Sequence, residues 1–101
     1  MGPCILSADA IDDPQTLQMR LTVNGKVKQN GSTAQMIFPV AAVVAFLSEL
    51  MTLEPGDIIS TGTPVKKDAK ADPPVWLKPG DTIEIECPAI GVLRNSVADE
   101  T

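Results

Sequence analysis

A five-residue phrase is spelled twice in this chain, as Leu53-Glu54-Pro55-Gly56-Asp57 and as Leu77-Lys78-Pro79-Gly80-Asp81. Proline sets the negative φ of the first central position of a β-turn, and glycine accepts the positive φ of the second, which is type II turn chemistry. Each copy runs into isoleucine, Ile58-Ile59 in the first and Thr82-Ile83 in the second. The phrase therefore predicts two turns that deliver two strands to a common sheet, and two copies do not make a repeat protein. Another turn signal lies upstream. Leu17 to Val23 alternates apolar and polar residues and meets Asn24-Gly25, the strongest short hairpin signal, so Lys26-Val27-Lys28-Gln29 is the expected return strand.

Between these turns, Ser32-Thr33-Ala34-Gln35 spells a capping box and predicts a short helical turn. Pro39 interrupts it and suits the first turn of a new helix from 39 to about 51. There Val40, Val43, Val44, Leu47, Leu50 and Met51 recur at spacings of three and four. Only Ser48 and Glu49 are polar in that helix, so most of its circumference needs cover from sheet or from another chain. The last strands are expected at Thr82 to Cys87 and Gly91 to Val97, around a Pro88-Ala89-Ile90-Gly91 turn. Pro64 to Val75, with Lys66, Lys67, Asp68, Lys70 and Asp72, reads as a surface loop. The order is strand, hairpin, helix and then at least three strands: an α+β, mainly β unit without the crossovers of a doubly wound sheet.

The 101 residues, 44% hydrophobic, fit one small domain spanning 1–101. With net charge −5 and no basic run longer than Lys66-Lys67, there is no footprint for nucleic acid or anionic lipid. The apolar run from Met36 to Leu47 is about half of what a bilayer crossing needs, so it is expected in the core. The first six residues carry no basic flank for a secretion signal, and a cytoplasmic location follows by default. Cys4 and Cys87 sit in no metal spacing and are expected to be buried thiols.

Histidine and tyrosine are absent, which removes the commonest general base and the Ser-His and Cys-His nucleophile pairs. Among the carboxylates, Asp12-Asp13 before Pro14 suits local backbone bonding. Glu84-x-Glu86 shares one face of a strand; that face can hold a divalent cation, but with Ile83 and Ile85 opposite it reads as a solvated face. One segment differs from these. Ile58-Ile59-Ser60-Thr61-Gly62-Thr63-Pro64 is an apolar strand that ends in hydroxyls and glycine, where backbone N–H groups and a hydroxyl can meet a carboxylate or enolate oxygen. The plainer alternative is that Ser, Thr and Gly simply end a strand. Lys66 and Lys67 either add positive potential there or are merely solvated.

The succession of motifs resembles a known family. Gly2-Pro3-Cys4-Ile5 is followed by Leu21-x-Val23-Asn24-Gly25-x-x-x-Gln29 and Met36-Ile37-Phe38. Then come Leu47-Ser48-x-x-Met51-Thr52-Leu53-x-Pro55-Gly56-Asp57-x-Ile59-x-Thr61-Gly62-Thr63-Pro64, and Leu77-x-Pro79-Gly80-Asp81 through Gly91-x-Leu93-x-Asn95. Nearly the whole chain is similar, in collinear order, to the C-terminal part of the fumarylacetoacetate hydrolase family. The resemblance implies a partial β-sandwich roll with one main helix. It also implies a site where magnesium or manganese holds a small β-dicarbonyl or 2-oxo acid for hydrolysis, decarboxylation or isomerisation. The positions matching the family's substrate-binding corner are Thr61, Gly62 and Thr63, with Thr63 as the hydroxyl donor.

The family's metal ligands, its catalytic lysine and its His-Glu pair lie upstream of the Gly-Pro with which this chain opens. No catalytic or metal-ligating residue is therefore assigned, and Glu84-x-Glu86 is in the wrong part of the pattern. Val65 to Lys70 replaces the glycine-bearing stretch that usually follows Thr-Gly-Thr-Pro. The expectation is a truncated relative, inactive and without a cofactor on its own, that self-associates as a dimer. The alternatives are an enzyme completed by a partner chain, a module that binds a small carboxylate, and a purely structural protein.

Overall fold

Asn24 and Gly25 take φ values of 50° and 76° in the computed structural model, which describes residues 1–65 and 75–100. Positive φ at both central positions is what a two-residue hairpin loop requires. The loop joins β1 (Gln18–Val23) to β2 (Lys26–Ser32), longer than the expected return strand. The ladder slips by one residue, from Leu21↔Gln29 to Thr22↔Val27, so Lys28 is the extra residue of a β-bulge. Such a bulge re-aims the side chains beyond it. Here Gln29 and Gly31 are buried while Asn30 between them is exposed.

The second Pro-Gly turn delivers β3 (Thr82–Cys87) alongside β1, with Leu21 opposite Ile85 and Arg20 opposite Glu86. The Pro88-Ala89-Ile90 turn, closed by the Ile90 N–H on the Cys87 carbonyl, returns the chain as β4 (Gly91–Ser96). The sheet is antiparallel in the order β2-β1-β3-β4. The fold is thus mainly β with one main helix, as expected. Period two puts Leu21, Ile85 and Leu93 in register on one face, all half-buried. On the other face Glu86 pairs with Arg20 and Glu84 with Arg94. Both pairs are solvated and worth at most about 1 kcal/mol each, so this is the wet side of the sheet.

The capping box closes as spelled, with the Ser32 hydroxyl accepting from the Ala34 N–H and the Gln35 amide oxygen from the Ser32 N–H. Helix α1 (Val40–Leu50) then begins directly after Pro39, which offers no side-chain cap. Gln15 replaces it: its amide oxygen accepts from the Val40 N–H at 2.8 Å, and its amide nitrogen donates to the Thr33 carbonyl. Asp13, which accepts from the Gln15 N–H, does the local backbone work expected of Asp12-Asp13. At eleven residues α1 is too short to cross a membrane.

Three expectations fail. The run from Met36 to Leu47 is not core: no residue of α1 is buried, and Ile37 and Phe38 are 92% and 68% exposed. Among the described residues no strand packs extensively along the helix, and of its apolar side chains only Val40, Val43 and Leu47 are even half-buried. Second, Ile58-Ile59 forms no strand, and the described chain after α1 holds two strands rather than at least three. A strand exists only where another supplies its ladder. Third, Cys87 is buried but Cys4 is exposed. Cys4 belongs to the N-terminal stretch beside the edge strand β4, where Pro3 lies against Gly91, and no described strand lies beyond β4. The expected loop residues Lys66, Lys67, Asp68, Lys70 and Asp72 lie outside the described residues.

Candidate functional site

The bulge in β2 has a direct consequence for the Thr61 to Thr63 segment. Gln29, only 8% exposed, donates from its amide nitrogen to the Thr63 hydroxyl oxygen at 3.0 Å and to the Pro64 carbonyl at 2.6 Å. Two residues along the same strand, a Cβ on Gly31 would stand 3.0 Å from the Pro64 Cβ. A side chain there would crowd the Pro64 ring and the Gln35 amide oxygen, so glycine lets Pro64 lie close against the strand. A buried amide and a missing side chain together clamp the segment onto β2.

This clamp orients chemistry. Thr63 accepts the Gln29 N–H on an oxygen lone pair, which leaves its own hydroxyl proton to donate elsewhere. Gly62 has φ 99°, a conformation that favours glycine, and no described residue comes within 4 Å of where its Cβ would stand. A ligand oxygen can approach the main chain there, with Thr61 and Thr63 exposed on either side. The arrangement suits a small anion such as a carboxylate. Gln29 is the residue of this corner that the residue types alone do not reveal. It stood in the motif succession, but its role depends on the bulge that points it at Thr63.

The remaining candidates do not converge on this corner. Glu84 and Glu86 are held by Arg94 and Arg20 on the wet face. Among the described residues no group of three His, Cys, Asp or Glu side chains could hold a metal ion. Asp81 is buried and receives the Asn24 amide at 2.8 Å and the Lys78 N–H at 3.0 Å, which together hold its carboxyl below the usual carboxylate range. Its partners make it a turn residue. A cleft of about 570 Å³ opens on the apolar face beside Leu21, Val23, Trp76 and Ile83, and one of about 500 Å³ on the charged face beside Arg20 and Glu84. Neither is lined by Thr61, Gly62 or Thr63. Among the described residues, Thr61, Gly62 and Thr63 are all exposed.

Residues 1–98 match the family model described as fumarylacetoacetate (FAA) hydrolase C-terminal. The chain belongs to the fumarylacetoacetate hydrolase family. The match covers the bulged hairpin, the helix, the threonine corner and both last strands together. Within the family, the chain is 41% identical over 97 residues to the mitochondrial oxaloacetate tautomerase fahd2 of Xenopus laevis, covering 96% of this chain and 30% of that protein. It superposes on the fumarylacetoacetate hydrolase of psychrophilic Exiguobacterium antarcticum with a TM-score of 0.90 at 40% identity, covering 98% of this chain and 35% of the other. The maleylpyruvate hydrolase of Sphingobium sp. SYK-6, in complex with manganese (II) and pyruvate, gives 0.83 at 37% identity, with coverages of 96% and 34%. The chain thus spans about a third of the length of these fumarylacetoacetate hydrolase relatives.

Proposed function

We propose that this chain forms the substrate-side wall of a fumarylacetoacetate hydrolase family site for a small 2-oxo or β-dicarbonyl acid, and that it does not turn such an acid over by itself. The observation that carries the reading is the Gln29 clamp. It fixes Thr63 with its hydroxyl proton left to donate, next to a Gly62 whose Cβ side no described residue fills, which is a preorganised donor set for a carboxylate or oxo oxygen. The similar maleylpyruvate hydrolase binds manganese and pyruvate, which supports this ligand class. The described residues do not fit such an ion, because the paired carboxylates Glu84 and Glu86 are neutralised by arginine and no three-ligand group exists among them. A metal and a general base for the family's chemistry have to come from residues outside those described.

Millimolar oxalate or pyruvate should raise the melting temperature of the chain. Thr63→Val should weaken binding by about 1 kcal/mol, roughly fivefold in Kd, and Thr63→Ser should retain it. Oxaloacetate decarboxylation and acylpyruvate hydrolysis, assayed with magnesium or manganese, should proceed at the rate of the metal-only blank. No thermal shift with either acid sinks the wall, and turnover above the blank sinks the claim of inactivity. A second reading, an enzyme completed by another polypeptide, is favoured by the exposed apolar circumference of α1. That same surface supports a homodimer.

A further inference from the structure

Asn24 serves the hairpin loop and endangers it. Its φ of 50°, with 76° at Gly25, is the conformation that the two-residue turn needs. Asparagine is also thermolabile, and most so before glycine, which leaves its main-chain nitrogen unshielded beside the asparagine Cγ. Both residues are exposed to water, and beyond its chain neighbours no described residue comes within 4 Å of where a Gly25 Cβ would stand. Restraint comes from far along the chain. The Asn24 amide nitrogen donates to the Asp81 carboxylate at 2.8 Å, and its amide oxygen accepts from the Thr82 N–H at 2.9 Å. The main-chain N–H of Asn24 donates to the Thr82 carbonyl, also at 2.9 Å. Both ends of the side-chain amide are thus held from 57 and 58 residues away, and Cγ cannot swing toward the Gly25 nitrogen without breaking these bonds.

We propose that Asn24 is a deamidation site gated by its bonds to Asp81 and Thr82, and that its conversion unhooks the hairpin loop from the second Pro-Gly turn. In the reaction the Gly25 nitrogen gives up its proton and attacks Asn24 Cγ. A C–N bond forms and closes a succinimide ring, the Cγ–Nδ2 bond breaks, and Nδ2 leaves with the proton as ammonia. Water then opens the ring at one of its two carbonyls, so one water is consumed and one ammonia released. The product is aspartate or isoaspartate, and either destroys the latch. Aspartate replaces the Nδ2 donor with a carboxylate oxygen facing the Asp81 carboxylate, a like-charge pair at hydrogen-bond distance. Isoaspartate routes the main chain through the former side chain and lengthens a loop whose two residues set the hairpin register. Asp81 also accepts from the Lys78 N–H on its carboxylate and from the Val97 N–H on its carbonyl, so the damage reaches the turn that opens β3. Local opening of that turn is the event that lets the reaction start.

Mass spectrometry with fragment-ion localisation, on the whole chain aged in mildly alkaline buffer, reads the conversion directly. The chain carries its own control, because Asn30-Gly31 repeats the dipeptide inside β2, where Asn30 lies opposite Arg20. In guanidinium chloride the two asparagines should convert at similar rates. In the folded chain Asn24 should convert at least about tenfold more slowly than in denaturant, and Asp81→Ala should restore about that factor at Asn24 while leaving Asn30 unchanged. Conversion of Asn24 as fast in the folded chain as in denaturant overturns the gate. So does a folded Asp81→Ala variant that speeds neither site, or both equally. A pair of exchanges decides the latch however well Asp81→Ala folds. Asn24→Asp should melt about 4 °C or more below the parent. Adding Asp81→Asn should recover most of that loss, because the new amide at 81 donates to the new carboxylate at 24 and still accepts from the Lys78 N–H. A double variant that melts no higher than Asn24→Asp alone overturns the proposal.

Discussion

The turns at Glu54–Asp57 and Lys78–Asp81 are built from the same three residues and have the same geometry. Their glycines have φ 98° and 91°, and in both the aspartate N–H closes on the carbonyl three residues back at 3.1 Å. Each aspartate carboxylate also accepts from the main-chain N–H three residues back, at 2.9 and 3.0 Å. Beyond the turn the two regions part. Asp81 receives the Asn24 amide, its carbonyl accepts from the Val97 N–H, and Thr82 opens a strand paired on both sides. Asp57 is exposed and leads into Ile58 with no ladder. Turn geometry is decided by four residues, whereas strand identity is decided by a neighbour.

The sharpest way to break this comparison is to truncate an isoleucine on each side. Ile85, opposite Leu21 and Leu93, should cost about 2 kcal/mol as Ile85→Ala, at the low end for a core truncation because it is half-buried. Ile58→Ala should stay within about 0.5 kcal/mol. Urea unfolding measures both, and equal losses would mean that segment 58–61 is already part of the cooperative unit. The glycines give a smaller contrast. Gly80→Ala should destabilise by about 1 kcal/mol, since a Cβ is disfavoured at positive φ and this turn is bonded to Val97. Gly56→Ala carries the same local strain but should leave the global transition unmoved, because its turn leads into no described strand.

The finest test is pH. Asp81's carboxyl lies below its ordinary range in the folded chain, through the Asn24 amide first and the Lys78 N–H second. Its contribution is thus present above the unfolded value, about 3.9, and is lost as pH falls through the lower folded value. Asp81→Asn should flatten the fall in melting temperature below about pH 4. A small slope should remain from Asp9, whose carboxyl is held down by Ser7 and its own N–H. An unchanged acid limb in the variant would show that Asp81 does not couple the turn to the hairpin.

Several elements were legible before any fold was known because their causes lie within a few residues. Asn24-Gly25 specified the hairpin, Ser32 and Gln35 closed their box, and the alternation of Thr82 to Glu86 marked a strand with one wet face. The candidate corner was legible as residue types at Thr61 to Thr63. Its support was not, since Gln29 reaches Thr63 across 34 residues only after Lys28 bulges out of the ladder.

What the sequence alone determined about this protein is thus its family, its turns, its helix and the wet and dry faces of its last strands, all carried by local dihedral preference and side-chain period. Only the tertiary structure decided that no residue of α1 is buried, that Ile58-Ile59 forms no strand, that Cys4 is exposed and that Gln29 holds the threonine corner. Burial and pairing depend on which surfaces meet, and outside a tight hairpin a residue's neighbours in sequence do not specify its neighbours across a sheet.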